Sequence, residues 1–297
     1  MATRTWIVGV DGSDHSRTAL AWATAQAVGR DVEIVALSTW RAPILPSDAI
    51  GQPALLMDWS QFEAEFTRRV DEIIASTRHD AESTPAGAVP AIVPRIVPRI
   101  EQGRPAHLLI EASRDAELLV VGSQGRSGLS GVVLGSVSRQ CATHATVPVV
   151  VVPPDVASTP VEHVVVGFDG SRNARAALRW ALAFSNADAD IVVVRSVELA
   201  PWMDEAGVRE RFPVEVDKAL TEFESELAEL DPGGRARRTF KLQDARQALA
   251  EAASGADMVV LGARGHRRFA ATLLGSVSTW MLHGASCATV IVPDPST

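Results

Sequence analysis

Gly122-Ser123-Gln124-Gly125, nine further residues and then Gly135-Ser136 form the stretch that decides the fold, because the same spacing occurs a second time. The second copy is Gly262-Ala263-Arg264-Gly265, nine residues, Gly275-Ser276. In each copy a short apolar run precedes the first glycine, which predicts a buried strand, and the Gly-Ser pair opens a predicted helix. Glycines let backbone N–H groups approach a ligand closely, and a helix start adds unpaired N–H donors. The stretch therefore predicts an anion cradle suited to a phosphate chain.

A second repeat precedes each glycine motif. Residues 7–23 match residues 165–181 at an offset of 158, and both copies carry Gly-x-Asp-Gly-Ser at the same place. A chain of 297 residues is expected to form about two domains. The repeat therefore predicts one domain at residues 1–154 and another at residues 161–297, joined by a linker at residues 155–160 within a stretch of prolines and small residues.

Strands alternate with helices in both halves, which predicts parallel sheets covered on both faces. The fold class expected is α/β, with two tandem doubly wound five-stranded parallel-sheet domains. Strands are predicted at residues 6–10, 32–39, 96–100, 117–121, 147–152, 164–168, 191–197, 238–242, 258–261 and 288–292. Helices are predicted at residues 14–28, 60–78, 105–113, 136–145, 173–185, 214–230, 245–254 and 276–284.

In a doubly wound sheet the ligand lies beyond the carboxyl ends of the strands, at the point where the winding order reverses. If the first and fourth strands are neighbours there, Asp11 meets the Gly122 loop and Asp169 meets the Gly262 loop. The third strand of the first half contains Val-Pro-Arg-Ile twice in succession, at residues 93–100. Because proline removes a ladder donor, this strand is expected at a sheet edge, with pairing confined to residues 96–100.

The composition excludes several classes of protein. Hydrophobic residues make up 46% of the chain and charged residues 22%, as in ordinary globular proteins. A formal net charge of -8 argues against nucleic acid and anionic membranes as partners, since both select basic surfaces. No apolar run approaches the roughly 20 residues of a membrane span, and residues 1–6 lead into a strand, so a cytoplasmic location is expected. Cys141 and Cys287 are interpreted as buried small hydrophobes.

Rival site motifs are missing from the sequence. Its two lysines, Lys218 and Lys241, do not follow glycine, which excludes a Walker A loop. Neither Gly-x-Gly nor Gly-x-Ser-x-Gly occurs, which excludes the dinucleotide fingerprint and the hydrolase elbow. Cys141 and His144 lie three apart on a predicted helix, but no second ligand pair accompanies them for zinc. Efficient phosphoryl transfer needs a metal-holding carboxylate and a base beside the cradle, and only the cradle is evident.

Both glycine motifs and both Asp-Gly-Ser segments resemble those of the universal stress protein family, specifically its ATP-binding branch, and the resemblance covers the whole chain. The arrangement is similar to the tandem universal stress proteins of actinobacteria. The resemblance implies a Rossmann-like strand order of 3-2-1-4-5 in each half, with the third strand at an edge. It also implies that the fifth strands and nearby helices pair the two halves and pair chains, which gives a homodimer.

The resemblance implies ligand contacts residue by residue. The adenosine contacts are Val10, Asp11, Thr39, Phe168, Asp169 and Val197, with the aspartates approaching adenosine, Val10 and Phe168 lining the base pocket, and Thr39 and Val197 offering backbone atoms to adenine. The ribose and phosphate contacts are Gly122, Gly125, Gly135, Ser136, Val137, Ser138, Gly262, Gly265, Gly275, Ser276, Val277 and Ser278. The implied cofactor is ATP, with a Mg or Mn ion able to bridge its phosphates through Ser136 or Ser138.

These residues also have simpler structural interpretations. The aspartates can be turn residues, the glycines turn glycines, and Ser136 and Ser276 helix N-caps. Arg126 and the cluster at residues 266–268 can either steady phosphates or form solvated loop charge. Gly103-Arg104-Pro105-Ala106, the family's usual strand-to-helix turn, is replaced by Gln243-Asp244-Ala245-Arg246 in the second half, which puts equal affinity of the halves in doubt.

The predicted function is an ATP-binding regulator of the stress response. Nucleotide binding would order the glycine loops and change the packing between the halves or with a regulatory protein partner. The chain is expected not to be an enzyme, apart from weak ATPase activity. Two alternatives stay open, namely a slow ATPase or nucleotide-hydrolysing enzyme, and a protein-interaction module that binds no nucleotide.

Overall fold

The computed structural model describes residues 4–41, 60–83, 94–125, 134–200, 202–265 and 274–294. The first half contains β1 (Arg4–Gly9), α1 (Asp14–Ala27), β2 (Val32–Trp40), α2 (Ser60–Ser83), β3 (Arg95–Gln102), α3 (Pro105–Ala112), β4 (Leu118–Gly122), α4 (Ser136–His144) and β5 (Val149–Val152). The second half contains β6 (His163–Gly167), α5 (Arg172–Phe184), β7 (Asp190–Ser196), α6 (Glu205–Arg211), α7 (Pro213–Leu230), β8 (Ala236–Lys241), α8 (Ala245–Ala252), β9 (Met258–Gly262), α9 (Ser276–Gly284) and β10 (Ala288–Val292).

All ten strands belong to one sheet of order β3-β2-β1-β4-β5-β10-β9-β6-β7-β8. Within each half the strands are parallel in the order 3-2-1-4-5, which confirms the predicted doubly wound fold. The two halves join where β5 and β10 pair antiparallel, with Val150 opposite Val290. Each of these strands thus has a neighbour on both sides, so the expectation that the fifth strands also pair two chains does not fit this sheet.

The proline-bearing strand β3 pairs over a longer stretch than expected. It lies at the edge of the sheet and pairs with β2 from Arg95 to Gln102, with Pro98 opposite Ala36. A strand at an edge has a sheet neighbour on one side alone, so a residue without an N–H group is tolerated there. The edge position was predicted correctly, whereas the predicted limits of pairing were too narrow.

Helix α6 is the one described helix that the sequence pattern did not predict. Asp204 caps it, because the Gly207 N–H donates to Asp204 Oδ1 at 2.6 Å. Val208 packs with Val216 and Leu242 in a small apolar cluster. A helix of seven residues is too short to show a clear apolar period, which explains why it was missed.

Two apolar layers cover the sheet, one on each face, and both run through the two halves. One layer unites β-strand side chains with α1, α2, α5 and α7. The other layer unites the strand side chains of the opposite face with α3, α4, α8 and α9. Among the described helices, none combines the length and the apolar character that crossing a membrane requires.

Phe184, at the end of α5, lies at the boundary between the halves on the α1–α5 face. Its ring is 5.9 Å from that of Trp6 and 6.3 Å from that of Trp22, both in the first half, and 4.5 Å from that of Trp180. The Arg30 guanidinium lies over the same ring at 4.6 Å and donates to the Phe184 carbonyl oxygen at 2.6 Å. Aromatic contacts of this kind therefore reinforce the strand pairing across the boundary.

The segment between the halves follows α1 closely. The Gln26 side chain donates to the Thr159 carbonyl oxygen at 2.7 Å and accepts from the Val161 N–H at 3.0 Å. The Thr18 hydroxyl donates to the Pro154 carbonyl oxygen at 3.0 Å. The linker limits at residues 155–160 stay a prediction, but these bonds hold the connecting segment against the first half.

Replacing Phe184 by Ala should lower the free energy of unfolding by about 3 to 5 kcal/mol, because the residue is almost fully buried among three tryptophans. Trp202→Ala is the control, since Trp202 is 82% exposed and its removal should change stability by less than about 0.5 kcal/mol. Urea unfolding followed by far-UV circular dichroism measures both. Equal small effects would show that the aromatic cluster does not hold the halves together.

Candidate functional site

The candidate site of each half lies where the strand order reverses. In the first half β1 pairs with β2 on one side and with β4 on the other, so the chain leaving β1 and the chain leaving β4 emerge side by side. In the second half β6 has the same relation to β7 and β9. This is the position at which doubly wound proteins bind their ligands.

A tight turn after β1 holds Asp11 in place. Asp11 Oδ1 accepts from the Ser13 N–H at 3.0 Å and from the Ser13 hydroxyl at 2.6 Å, and Gly12 adopts a φ of 88°. Ser13 in turn caps α1 by accepting from the Ser16 N–H. In the second half the Ser171 N–H donates to Asp169 Oδ1 at 2.9 Å. One oxygen of each carboxylate therefore stabilises the turn, as the simpler interpretation predicted.

The other oxygen of each aspartate faces the glycine loop. A Cβ atom added to Gly125 would lie 2.9 Å from Asp11 Oδ2, and one added to Gly265 would overlap Asp169 Oδ2. The second glycine of each motif thus leaves room for the carboxylate. The structure brings each aspartate and its loop together, as expected from adjacent first and fourth strands.

The first glycine of each motif is required by helix packing. A Cβ at Gly122 would lie 2.7 Å from both the carbonyl carbon and the carbonyl oxygen of His15, in the first turn of α1. A Cβ at Gly262 would lie 2.7 Å from the carbonyl carbon of Asn173 in α5. Neither glycine is simply a turn residue, because each lets a helix start contact the end of a strand.

The third glycine begins the helix of the cradle. Gly135 is the N-cap of α4 and supplies no side-chain hydrogen bond, while its own N–H donates to the Ser123 carbonyl oxygen at 2.7 Å. Ser136 is exposed at the helix start and Val137 is half-buried. Ser138 is buried and its hydroxyl donates to the Gly122 carbonyl oxygen at 2.6 Å, so it joins the helix to the strand end.

The second cradle repeats this arrangement. Gly275 caps α9 without a side-chain bond, and its N–H donates to the Ala263 carbonyl oxygen at 2.8 Å. The buried Ser278 donates to the Gly262 carbonyl oxygen at 2.9 Å, with Ser276 exposed and Val277 half-buried. Arg126 and the cluster at residues 266–268 lie outside the described residues.

A cavity of about 310 Å³ adjoins the first cradle on the α1–α2 face. Asp11, Gly12, Arg17 and Ser38 line it, and α2 contributes further side chains, among them Val70. Val10 is buried directly before Asp11. The cavity thus lies between the predicted adenosine side of the site and α2, a helix whose residues the sequence did not predict as part of the site.

Comparison with known proteins shows to which family the chain belongs. The model of the universal stress protein family matches residues 3–153 and again residues 160–293. The chain belongs to the universal stress protein family. A family member from Mycobacterium tuberculosis is 28% identical over 297 residues, covering 96% of this chain and 95% of its own length. Another, from Mycolicibacterium smegmatis, is 33% identical over 148 residues, covering 50% of this chain and 45% of its own.

A solved universal stress protein from Archaeoglobus fulgidus shares the fold. Its TM-score is 0.65 at 17% identity, with 99% of this chain and 100% of the other covered. The tandem arrangement of two family units is therefore present in this chain, as the sequence repeats predicted.

The strand register corrects one site residue of this family member. Gly9 pairs with Leu37 in the first half, and the matching Gly167 pairs with Val194 in the second. The counterpart of Thr39 is thus Ser196, one residue before the predicted Val197. The N–H of Val197 donates to the Lys241 carbonyl oxygen at 2.9 Å. The offset of 158 failed because the connection between the first two strands is one residue shorter in the second half.

His15 is a further residue that the sequence reasoning missed. Its Nδ1 lies 3.1 Å from the Ser123 hydroxyl, which links the first turn of α1 to the glycine loop. The signal available in the sequence was its position two residues after Asp-Gly-Ser, at the start of a predicted helix. The second half has Asn173 at this place, so the side-chain link differs between the halves.

Cys141 lies on α4 and Cys287 precedes β10, and both are free and buried, as interpreted from the sequence. Burial raises the pKa of the Cys141 thiol to about 12 and that of Cys287 to about 11. His144 Nδ1 lies 3.0 Å from the Gln140 carbonyl oxygen of its own helix. Within the described part of the chain, no three His, Cys, Asp or Glu side chains form a cluster able to hold a metal ion.

Substituting Gly122 by Ala should lower the free energy of unfolding by about 1 to 3 kcal/mol, because the new methyl group would overlap the His15 backbone. Gly284→Ala is the matched control, since a Cβ there meets nothing within 4 Å, and helix propensity predicts no loss of stability. Urea unfolding of the ligand-free variants measures the difference. A Gly122→Ala protein as stable as the control would remove the packing role from this glycine.

Both thiols should react slowly in the folded protein. At pH 8 a thiol pKa near 11 lowers the reactive thiolate fraction about 100-fold relative to an exposed cysteine. Ellman's reagent should therefore modify two thiols per chain quickly in urea and neither quickly without it. The rate in the folded state should rise as the pH increases toward these pKa values. Fast modification at pH 8 without denaturant would contradict the assigned burial.

Proposed function

We propose that this universal stress protein binds ATP and acts as a nucleotide-dependent regulator in the stress response. The observation that carries the proposal is the meeting, at the strand-order reversal, of Asp11, the close-packed Gly125 and a helix start without a side-chain cap. An aspartate suits the hydroxyl or amine groups of a nucleoside, and an uncapped helix start suits phosphates. The resemblance of both glycine motifs to those of the ATP-binding branch of the family supports the same ligand class.

The phosphates would bind at the start of α4. Ser136 is exposed there. The N–H groups of Ser136, Val137 and Ser138 lie in the first turn of the helix, where the helix dipole places a partial positive charge. Ser138 would act mainly by fixing the loop, because its hydroxyl donates to Gly122. The Ser136 hydroxyl would help to hold a Mg or Mn ion, together with water, and the ion would neutralise charge on the phosphates.

The nucleoside would lie beside Asp11 and extend toward the cavity lined by Gly12, Arg17 and Ser38. Thr39, half-buried at the end of β2, would offer its backbone atoms to adenine. Val10, buried behind the aspartate, would form the apolar side of the base site. ATP, AMP and cyclic AMP all fit this chemistry, and the phosphate cradle favours ATP among them.

Regulation would follow from the position of the first glycine loop against the second half. Ser123, Gln124 and Leu134 share a cavity of about 290 Å³ with the end of α9, including Leu282 and His283. A nucleotide that orders this loop would therefore bias the packing between the halves. We further propose that this regulator is cytoplasmic, forms a homodimer and signals to a regulatory protein partner.

Ser136→Glu should weaken ATP binding roughly tenfold or more, because it puts a carboxylate where the phosphates are expected. The variant should fold normally, since an acidic residue in the first turn of a helix is favourable. Gln140→Glu adds the same charge at an exposed position one turn along α4 and should keep the wild-type affinity. Isothermal titration with ATP, AMP and cyclic AMP measures all three proteins.

Nucleotide extracted from the purified protein and assayed by mass spectrometry gives an independent measurement. A wild-type chain that carries no nucleotide and also fails to bind added ATP would overturn the proposal in favour of an interaction module. Multiple turnovers of ATP hydrolysis at a rate that Ser136→Glu abolishes would instead favour the slow ATPase.

A further inference from the structure

The two halves differ at the place where the first half has its cavity beside the aspartate. The matching positions follow from the repeat and the strand register. Gly12 and Arg17 correspond to Gly170 and Arg175 by the offset of 158. Ser38, one residue after Leu37 on β2, corresponds to Arg195, one residue after Val194 on β7. A buried serine in the first half is thus replaced by an arginine in the second.

In the second half an ion-pair cluster fills this place. Arg195 Nη1 lies 2.9 Å from Glu226 Oε2, and Arg175 Nη2 lies 3.2 Å from Glu226 Oε1. Arg175 also pairs with Glu229 at 3.1 Å. All three members of the central cluster are half-buried, with side chains 24%, 18% and 26% exposed for Arg175, Arg195 and Glu226.

The cluster lies directly against the Asp-Gly-Ser turn. A Cβ added to Gly170 would lie 3.2 Å from Glu226 Oε2. Beneath the ion pairs, the Phe168 ring stacks on Phe223 of α7 at 5.8 Å, and Arg195 lies over the Phe223 ring at 5.8 Å. The first half has the smaller Val10 at the position of Phe168, and Val70 of α2 lines its cavity.

The charges also differ in a way that matters for an anionic ligand. Arg17 lines the first cavity and makes no ion pair with any residue that the structure describes. Its counterpart Arg175 is neutralised by two carboxylates. A nucleotide in the first half would meet the Arg17 guanidinium near Glu72 of α2, whose carboxylate is paired with Arg68. In the second half it would have to break the ion pairs that Glu226 makes beside the turn.

We propose, on the basis of the proposed function, that the two nucleotide sites have unequal affinities and that Arg195 and Glu226 close the site of the second half. The first half binds the nucleotide, and the second half keeps its nucleoside position filled by its own side chains. The chain then binds one ATP tightly, and affinity in the second half is at least about tenfold weaker.

Isothermal titration of ATP into the full chain tests this assignment. We expect one tight site in the wild type, lost in Ser136→Glu and kept in Ser276→Glu, which places the same charge at the start of α9. The double variant Arg195→Ser/Glu226→Ala opens the second half and should raise the number of tight sites from one to two. Arg209→Ser/Glu205→Ala removes an exposed ion pair of α6 and should leave one site.

Three results would count against the inference. Two sites of equal affinity in the wild type would overturn it while leaving the proposed function intact. One site in the opened variant, with a wild-type circular dichroism spectrum, would also overturn it. If neither the wild type nor the opened variant binds ATP, the proposed function itself is overturned. If the opened variant does not fold, the comparison of Ser136→Glu with Ser276→Glu still decides which half binds.

Discussion

The contact between a helix start and the end of a neighbouring strand is the constraint on which each candidate site depends. At Gly122 the backbone of β4 touches the backbone of α1 at His15, and at Gly262 β9 touches α5 at Asn173. A side chain at either glycine would push the helix away from the strand. The Asp-Gly-Ser turn leads directly into the helix and would move with it. The contact between helix and strand therefore sets the distance from the aspartate to the glycine loop. The geometry of the cradle is therefore a consequence of core packing as much as of ligand chemistry.

The antiparallel pairing of β5 with β10 places the two candidate sites in one continuous structure. It merges the halves into one ten-stranded sheet, with both apolar layers running through the whole chain. Ser123 and Gln124 of the first glycine loop then line one cavity together with the end of α9. Under the proposed function, a nucleotide that orders this loop would change the shape of a cavity that the second half also lines. Linkage between nucleotide binding and packing needs a boundary that both halves share.

Features marked by a local pattern or a recognisable motif were predictable, and features that arise from an unmarked contact between elements were not. Apolar runs were sufficient for the alternation of strands and helices, whereas the strand order came from the family resemblance of the glycine motifs and the Asp-Gly-Ser segments. The meeting of Asp11 with its loop was predicted on the condition that the first and fourth strands are neighbours, which that order supplies. The strand β3 was placed correctly at an edge because proline acts locally. Ser196 was missed because a one-residue difference in a connection changes register without changing any motif. The cluster of Arg175, Arg195 and Glu226 was missed because its members come from three elements and meet only in space.

The same cluster shows how one fold can hold an open site and a filled one. An open cavity beside Asp11 leaves packing contacts unmade, and a free Arg17 contributes no ion pair to the described structure. In the second half Phe168, Phe223 and the ion pairs use that space for stacking and charge pairing. Sites kept open for a ligand generally cost stability, and filling one recovers it. In a chain whose halves share one sheet, a filled half can serve as the stable support against which the open half responds to its ligand.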